Sequence, residues 1–296
     1  AMQATAFWAH PYRNPTVGWA SDISQVTRDE AYSYYRQFYV PNNATAVLVG
    51  DVDPQAALEL IRRHFEGLPA GPEPPMLRTV EPPQRGLRRT TVYKENVELP
   101  LVLCAYHVPT WAHPDAFPLM VLERVLSDGE SSRLHLSLVY RQQHALHAGG
   151  FYDADSIDPR WFLFYAKAAP GIGAEVLEAG LFAEVARLRE EPIPEREFQK
   201  ALNKMVADEI YGREQVAQQA REIALAAITA DLSVYFDYLD RLKAVTPADC
   251  QRVANTYLVD RNCTVATLLQ QTEAEPPLPI PTLATTQPQT EEVGHA

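Results

Sequence analysis

The sequence predicts an α+β protein built from two homologous units, each with helices packed on one face of a mixed, mainly antiparallel sheet. The first unit is expected to be truncated at its N-terminus. Two observations predict this: a helix-turn-strand pattern occurs twice, and strand pairs alternate with helix pairs between the two copies. The 296 residues suit about two domains, and 46% hydrophobic with 22% charged residues is typical of a globular chain.

The repeated pattern spans Val26–Val49 and Val245–Leu268, which align without a gap at a constant offset of 219 residues (27 to 246). Each copy begins with a predicted capping box, Thr27 with Glu30 and Thr246 with Asp249. A polar turn and a β-branched strand follow the helix. Any two helix-turn-strand units share some apolar positions, but a fixed register of cap, turn and strand favours homology.

The stretches of chain that precede the two copies differ greatly in length. The second copy follows a long structured stretch that begins near Arg89, whereas the first follows only a short segment. If the units are homologous, about 125 residues of the first unit are expected upstream of Ala1. The sequence therefore predicts a fragment whose chemistry lies partly outside it.

Proline usage divides the chain. The segment 69–86 is rich in proline, which favours an extended linker on the surface. We therefore predict the rear part of a first domain at 1–68, a linker at 69–86, a second domain at 87–270, and a disordered tail or linker at 271–296.

The elements follow in order from local patterns. Ala1–Ala9 indicates the end of a helix stopped by prolines, and Asp53-Pro54 indicates the start of another. In the second domain the predicted strands are Arg89–Glu98, Leu99–His107, Gly149–Asp155 and Trp161–Ala169. The predicted helices are Asp115–Leu126, a helix capped by Ser131 or Ser132 that reaches Gln142, Ala174–Glu190, a long helix from Pro194 to about Ile228 broken near Gly212, and Ser233–Lys243.

Charge and cysteine content exclude several functions. A net charge of −12 disfavours nucleic acid and anionic membranes as partners, because no basic face is available to neutralise phosphates. The three cysteines, Cys104, Cys250 and Cys263, show no disulfide or metal-binding spacing, and such thiols are usually small buried hydrophobic groups.

Two stretches resemble a known family. AFWAHPYRNPTVGWASDISQVTRDEAYSYYRQFYVPNNATAVLVGDVDPQAA is similar to the rear half of the catalytic domain of pitrilysin and insulinase-type zinc metallopeptidases, which are inverzincins with a processing-peptidase-like fold. DAFPLMVLERVLSDGESSRLHLSLVYRQQ, with LKAVTPADCQRVANTYL further on, resembles the second, non-catalytic domain of the same family. The resemblance covers nearly all of the chain from Ala1 to about Gln270.

The resemblance implies a zinc endopeptidase of tandem homologous domains that close as a clam-shell around peptides. Its motif is His-x-x-Glu-His on a helix, completed by a distal glutamate. The motif is absent from this sequence, and the one close pair, His144 and His147, has no acid at helical spacing. Zinc is therefore expected in the parent protein and not in this chain, which alone should be inactive. His10 is interpreted as a residue that orders its loop.

The family's second domain often supplies an Arg and a Tyr seven residues apart that hold the substrate backbone. The matching positions here are Arg141, predicted to bind substrate, and Ala148, which departs from the pattern. Tyr152 is a candidate substitute for the missing phenol. Without such a pair, either the other half of the enzyme supplies it or this domain is a structural wall.

The function predicted from the sequence is therefore part of a zinc endopeptidase, with a non-catalytic scaffold or partner subunit as the alternative and an unrelated α+β binding module as a weaker one. The expected partners are a peptide or unfolded protein, a homologous peptidase-like domain or subunit, and a second copy through self-association. The compartment is left open, and a periplasmic location would require a signal peptide upstream of Ala1.

Overall fold

The computed structural model describes residues 1–271. Five strands form its sheet: β1 (Arg88–Lys94), β2 (Leu101–Val108), β3 (Ala145–Tyr152), β4 (Arg160–Ala168) and β5 (Cys263–Gln270). The α-helices are α1 (Met2–Ala6), α2 (Ala20–Ile23), α3 (Arg28–Phe38), α4 (Pro54–Phe65), α5 (Ala116–Ser127), α6 (Ala174–Glu190), α7 (Glu195–Gly212), α8 (Val216–Thr229), α9 (Ser233–Phe236), α10 (Tyr238–Lys243) and α11 (Pro247–Tyr257). Short 3₁₀ turns lie at Pro11–Arg13, Pro41–Asn43 and Asp260–Asn262, and a π-helix spans His135–Arg141.

The sheet confirms the predicted mixed, mainly antiparallel architecture. Its strand order is β1-β5-β2-β4-β3; β1 pairs with β5 in parallel, and the remaining pairs are antiparallel. The central strand β2 is almost wholly buried, as expected of its nearly continuous apolar run. The last strand in sequence therefore lies inside the sheet, which ties the end of the domain to its beginning.

The main core lies between the sheet and one layer of helices. Helices α5, α6, α7 and α11 contribute apolar side chains to one core cluster that also contains residues of β2, β4 and β5. Leu122 of α5, Leu181 of α6 and Val253 of α11 are each at most 1% exposed. Removing water from such side chains contributes about 1.5–3 kcal/mol each, so this layer dominates the stability of the domain.

Residues 1–13 cover part of the opposite face of the sheet. Phe7 is fully buried and packs with Ala105 of β2 and with Trp161 and Leu163 of β4. Its ring contacts Trp161 at a centroid distance of 5.6 Å. A helix is present at the N-terminus as predicted, but it ends at Ala6, well before the prolines that were expected to stop it. The residue after it, Phe7, is held by the sheet of the second unit.

The helix and turn of the repeat are confirmed in both copies. Thr27 and Thr246 each form a complete capping box at the start of an 11-residue helix. In the turns, the Asn43 side chain donates to the Phe38 carbonyl at 2.9 Å, and Asn262 donates to the Tyr257 carbonyl at 2.8 Å. The same local sequence therefore builds the same local structure at the predicted offset.

The strand predicted in the first copy is not formed, so this prediction is wrong. Residues 44–49 are extended but belong to no strand, whereas their counterpart β5 is paired on both sides by β1 and β2. An extended run becomes a strand only when a neighbour satisfies its N–H and C=O groups, and no strand among residues 1–271 lies beside this one. Helices α3 and α4 accordingly contain no buried residue.

Three further predictions concern a strand start, a helix break and a helix cap. Strand β3 begins at Ala145 rather than Gly149. The long helix is broken near Gly212, as predicted, into α7 and α8. The expected serine cap is wrong: the π-helix has no side-chain cap, and the Ser132 hydroxyl is buried without a partner among the described residues.

The remaining points concern the ends of the predicted domains. Residues 69–83 form neither helix nor strand, yet Gln84 is buried and its amide donates to the Cys263 carbonyl at 2.5 Å. The domain division stays a prediction, and the tail predicted at 271–296 lies, apart from Gln271, outside the described residues. No helix within residues 1–271 is both long and apolar enough to cross a membrane.

Candidate functional site

Arg141, the predicted substrate-binding residue, ends the π-helix and is exposed. The chain then turns sharply into β3 through Gln143, whose φ of 55° lies in the left-handed region. Backbone bonds from His144 to the Leu138 carbonyl and from Gln142 to the Ser137 carbonyl hold this turn. A non-glycine residue at positive φ costs about 1–3 kcal/mol and persists only where the surroundings enforce it. The backbone that presents Arg141 is therefore well fixed, while its guanidinium is accessible.

Ala148 and Tyr152 lie on β3, four residues apart on the same face of the strand, and both pack against the main core. Ala148 pairs with Ala166 of β4. The Tyr152 ring stacks on Phe162 at 5.8 Å, and its hydroxyl donates a short hydrogen bond to the Pro109 carbonyl.

Burial raises the pKa of Tyr152 well above its usual value, so the phenol stays protonated and keeps this bond. Its hydroxyl is therefore occupied by the protein's own backbone. The structure does not bring Tyr152 and Arg141 together as a pair, and the role of Arg141 in binding substrate stays a prediction.

The histidines do not form a metal centre in the described part of the chain. Across residues 1–271 no three His, Cys, Asp or Glu side chains are arranged to hold a metal ion. His144 lies in the turn before β3 and His147 is exposed on it, so the close pair seen in the sequence is not on one face of a helix. These residues do not fit the zinc site that the resemblance implies.

His10 orders its loop, as interpreted from the sequence. Its Nδ1 accepts a hydrogen bond from the Tyr12 amide at 3.1 Å, and its Nε2 lies 3.2 Å from the Asp158 carboxylate. Asp158 lies between β3 and β4, so this contact joins the N-terminal segment to the second unit. The sequence could not supply this partner, because 148 residues separate the two side chains.

Glu81 is a second residue that sequence reasoning missed. Its carboxylate accepts hydrogen bonds from the backbone amides of Trp8, Ala9 and His10 at 2.9–3.0 Å. Arg88 lies 3.7 Å from the same carboxylate and 3.9 Å from the centre of the Trp8 ring. Burial raises the pKa of Glu81, but the three amide donors outweigh it and the net pKa lies below the ordinary 4.5. Glu81 is therefore ionised at neutral pH, and its carboxylate holds the N-terminal segment in place.

All three cysteines are buried and unpaired within the described chain, as predicted for core thiols. Burial raises the pKa of Cys250 to about 12, and the contact with Cys263, followed by burial, raises the pKa of Cys104 well above its usual value. Because the thiolate is the reactive form, neither side chain is a candidate nucleophile.

Comparison with known proteins adds what geometry alone does not. Residues 25–205 match the family described as the peptidase M16 inactive domain. The chain is 32% identical over 269 residues to the zinc protease PqqE of Helicobacter pylori, an alignment that covers 89% of this chain and 60% of that protein.

Solved structures agree with this match. The crystal structure of a protease from Helicobacter pylori superposes with a TM-score of 0.84 at 32% identity, covering 90% of this chain and 65% of the other. An inactive peptidase domain from Bordetella parapertussis gives a TM-score of 0.55 at 26% identity, covering 63% of this chain and 100% of that one. The chain thus spans about 60–65% of the length of the first relatives it matches.

Proposed function

This chain belongs to the peptidase M16 inactive-domain family of pitrilysin-like peptidases, and from that premise we propose that it is the non-catalytic part of a zinc endopeptidase. It forms one wall of a chamber that closes around peptides, and a homologous domain supplies the zinc and the activated water. The observation that carries this proposal is the match of residues 25–205 to the inactive domain.

Two features of the chain support this division of labour. The capped helix and turn occur twice at the same offset, which fits two homologous lobes in the parent protein. The described residues offer no group of three ligands for a metal ion, whereas a catalytic zinc site requires three protein ligands and an open position. The proposal accordingly assigns the zinc and the activated water to the homologous domain of the parent protein.

A scaffold or partner subunit that completes another chain's chamber remains the alternative. Two features favour it: by the resemblance, Ala148 stands where the family has a Tyr, and the Tyr152 hydroxyl is bonded to the Pro109 carbonyl. A wall needs shape and stability, and it does not need a phenol that reaches the substrate.

The two readings differ in what the whole gene product does. We expect the full product of the gene to bind about one zinc ion and to hydrolyse a quenched fluorogenic peptide in a chelator-sensitive manner. The 296-residue chain assayed alongside should do neither. A full product with neither zinc nor activity would favour the scaffold, and chelator-sensitive hydrolysis by the 296-residue chain alone would refute both readings.

Arg141 provides a test at one residue. If its guanidinium holds the substrate backbone, Arg141→Ala should lower kcat/KM of the full product about tenfold, the loss expected for a hydrogen bond to a charged group. Arg196→Ala removes the same charge from another exposed position and should leave kcat/KM unchanged. Equal effects of the two substitutions would exclude a specific role for Arg141.

A further inference from the structure

A cavity of about 340 Å³ lies beside the main core, and Arg141 is not among the residues that line it. It is bounded by the loop after β2, the end of β3, and helices α5, α7, α8, α9 and α10. This volume falls at the lower end of the range of about 300–1,000 Å³ that is typical of ligand pockets. It is therefore large enough for one side chain and too small for a folded partner.

Aromatic side chains form much of the cavity wall, and two of them have their polar ends bonded to the protein. The Trp111 indole N–H donates to the Thr229 hydroxyl at 3.0 Å, and the Tyr152 hydroxyl donates to the Pro109 carbonyl. Tyr235 is buried, and the Tyr238 ring packs on Phe117 at 5.6 Å. These bonds fix the Trp111 and Tyr152 rings in the wall. Met120 and Leu225 add apolar surface.

Carboxylates are the second feature of the lining. Asp155, Glu209 and Glu222 border the cavity, against a single guanidinium, that of the exposed Arg221. Glu209 is paired with Arg213 at 2.7 Å, but Glu222 accepts only from the neutral amide of Gln218, at 2.5 Å. The charge at Glu222 is therefore not neutralised by a neighbouring cation in the described chain.

Tyr238 lines the same cavity as Glu209 and Glu222. Burial, together with the carboxylates of Glu209, Glu222 and Glu123 and against the opposing charge of Arg124, raises the pKa of Tyr238 to about 12. The protonated Tyr238 phenol and the Glu222 carboxylate thus line one cavity. Such a combination of ring faces and a carboxylate attracts a cation that also carries apolar surface.

We propose that this cavity is a subsite for a lysine side chain of a bound peptide, which rests on the proposed function as a wall of a peptide chamber. The methylene stem lies against Met120, Leu225 and the aromatic rings, and the ammonium group lies at Glu222. A compact ammonium group can approach both a ring face and a carboxylate, so each contact adds to the other. The net charge of −12 also favours the approach of basic segments.

The test is a titration of the 296-residue chain with blocked pentapeptides, followed through the tryptophan indole signals in ¹H–¹⁵N spectra. The chain has four tryptophans, and Trp111→Phe identifies the signal of Trp111. The probe is acetyl-Gly-Gly-Lys-Gly-Gly-amide, and the matched peptide carries norleucine, which keeps the stem and lacks the charge. The lysine peptide should shift the Trp111 signal saturably and bind about tenfold more tightly than the norleucine peptide.

Two variants complete the design. Glu222→Gln keeps an acceptor for Gln218, removes the charge, and should weaken binding of the lysine peptide about tenfold. Glu190→Gln removes the same charge from an exposed position on α6 and should change nothing. The spectrum of each variant reports directly whether the fold is intact.

Three outcomes would overturn the subsite: equal binding of the norleucine peptide, unchanged binding by Glu222→Gln, or shifts only at Trp8, Trp19 or Trp161. None of these bears on the activity of the full gene product, so the failure of the subsite and the failure of the proposed function can be told apart. A saturable, charge-dependent shift at Trp111 would retain the subsite even if the full product proved inactive.

Discussion

At the scale of the residue, Glu81 shows how one side chain joins two distant segments. Three backbone amides of residues 8–10 point at its carboxylate, and Arg88 balances the charge. Arg88 also donates to the Ala6 carbonyl, which leads directly to the buried Phe7. Polar and apolar contacts therefore act together to hold residues 1–13 on the sheet.

Glu81→Gln should destabilise this attachment. The amide keeps one acceptor oxygen but loses the charge and leaves a backbone donor less well satisfied, a loss of about 1.5–3 kcal/mol. Hydrogen exchange should become faster in this variant, and only at the amides of residues 8–10 and their neighbours. Glu73→Gln, an exposed acid in the same proline-rich segment, is the matched control and should not change exchange. Equal protection in both variants would contradict the role of Glu81.

The same contact predicts a pH dependence. Because the folded pKa of Glu81 lies below the ordinary 4.5, its stabilising contribution is present above about that pH. The contribution is lost as the pH falls through the folded value. Exchange at residues 8–10 should therefore accelerate, relative to the intrinsic rate, below about pH 4.5 in the wild type and much less in Glu81→Gln.

At the scale of the element, the two capped helices have the same local structure but different surroundings. Both begin with a threonine that accepts from the third helical amide, at 3.3 Å for Thr27 and 3.2 Å for Thr246. Helix α11 buries Cys250, Val253 and Ala254 in the main core, whereas α3 buries no residue. Local sequence determines that the helix forms, and packing determines how much the helix contributes to the stability of the fold.

This difference predicts unequal effects of one substitution. Thr246→Ala should lower the free energy of unfolding of the main transition by about 0.5–2 kcal/mol, because α11 unfolds with the core. Thr27→Ala should leave that transition unchanged and reduce only the helical signal of α3. Denaturant titration followed by circular dichroism and by tryptophan fluorescence separates the two effects. Equal shifts of the main transition would show that α3 unfolds cooperatively with the sheet.

At the scale of the whole molecule, the first unit exposes several large aromatic side chains. Tyr34 and Tyr39 of the α3 region are 60% and 71% exposed, and Phe65 of α4 is 56% exposed. Aromatic groups stack along this surface, with Tyr35 and Tyr39 at a centroid distance of 5.2 Å. Contiguous exposed apolar patches of this kind mark surfaces that associate.

We therefore expect the 296-residue chain to self-associate as its concentration rises. The weight-average molar mass measured by light scattering should increase with concentration. The double substitution Tyr34→Ser and Tyr39→Ser should shift association to higher concentration, because it removes apolar area from the patch. Tyr93→Ser with Tyr140→Ser removes two tyrosines that are 59% and 73% exposed elsewhere, and should have no such effect. A monodisperse monomer at every concentration would refute this expectation.

The sequence by itself determined the features that depend on near neighbours. The capping boxes at Thr27 and Thr246, the turns closed by Asn43 and Asn262, and the break at Gly212 all follow from residues within one or two turns of each other. The family resemblance was likewise legible in continuous stretches, and the match to the inactive domain confirms it.

Only the tertiary structure decided which extended runs became strands and where each polar group found its partner. Residues 44–49 and β5 follow the same helix and turn, yet only β5 has neighbours that satisfy its backbone. The Tyr152 hydroxyl is bonded to a carbonyl 43 residues away, and Glu81 binds amides more than 70 residues away. Such partners are set by the packing of the whole sheet and its helices, so no local pattern could reveal them.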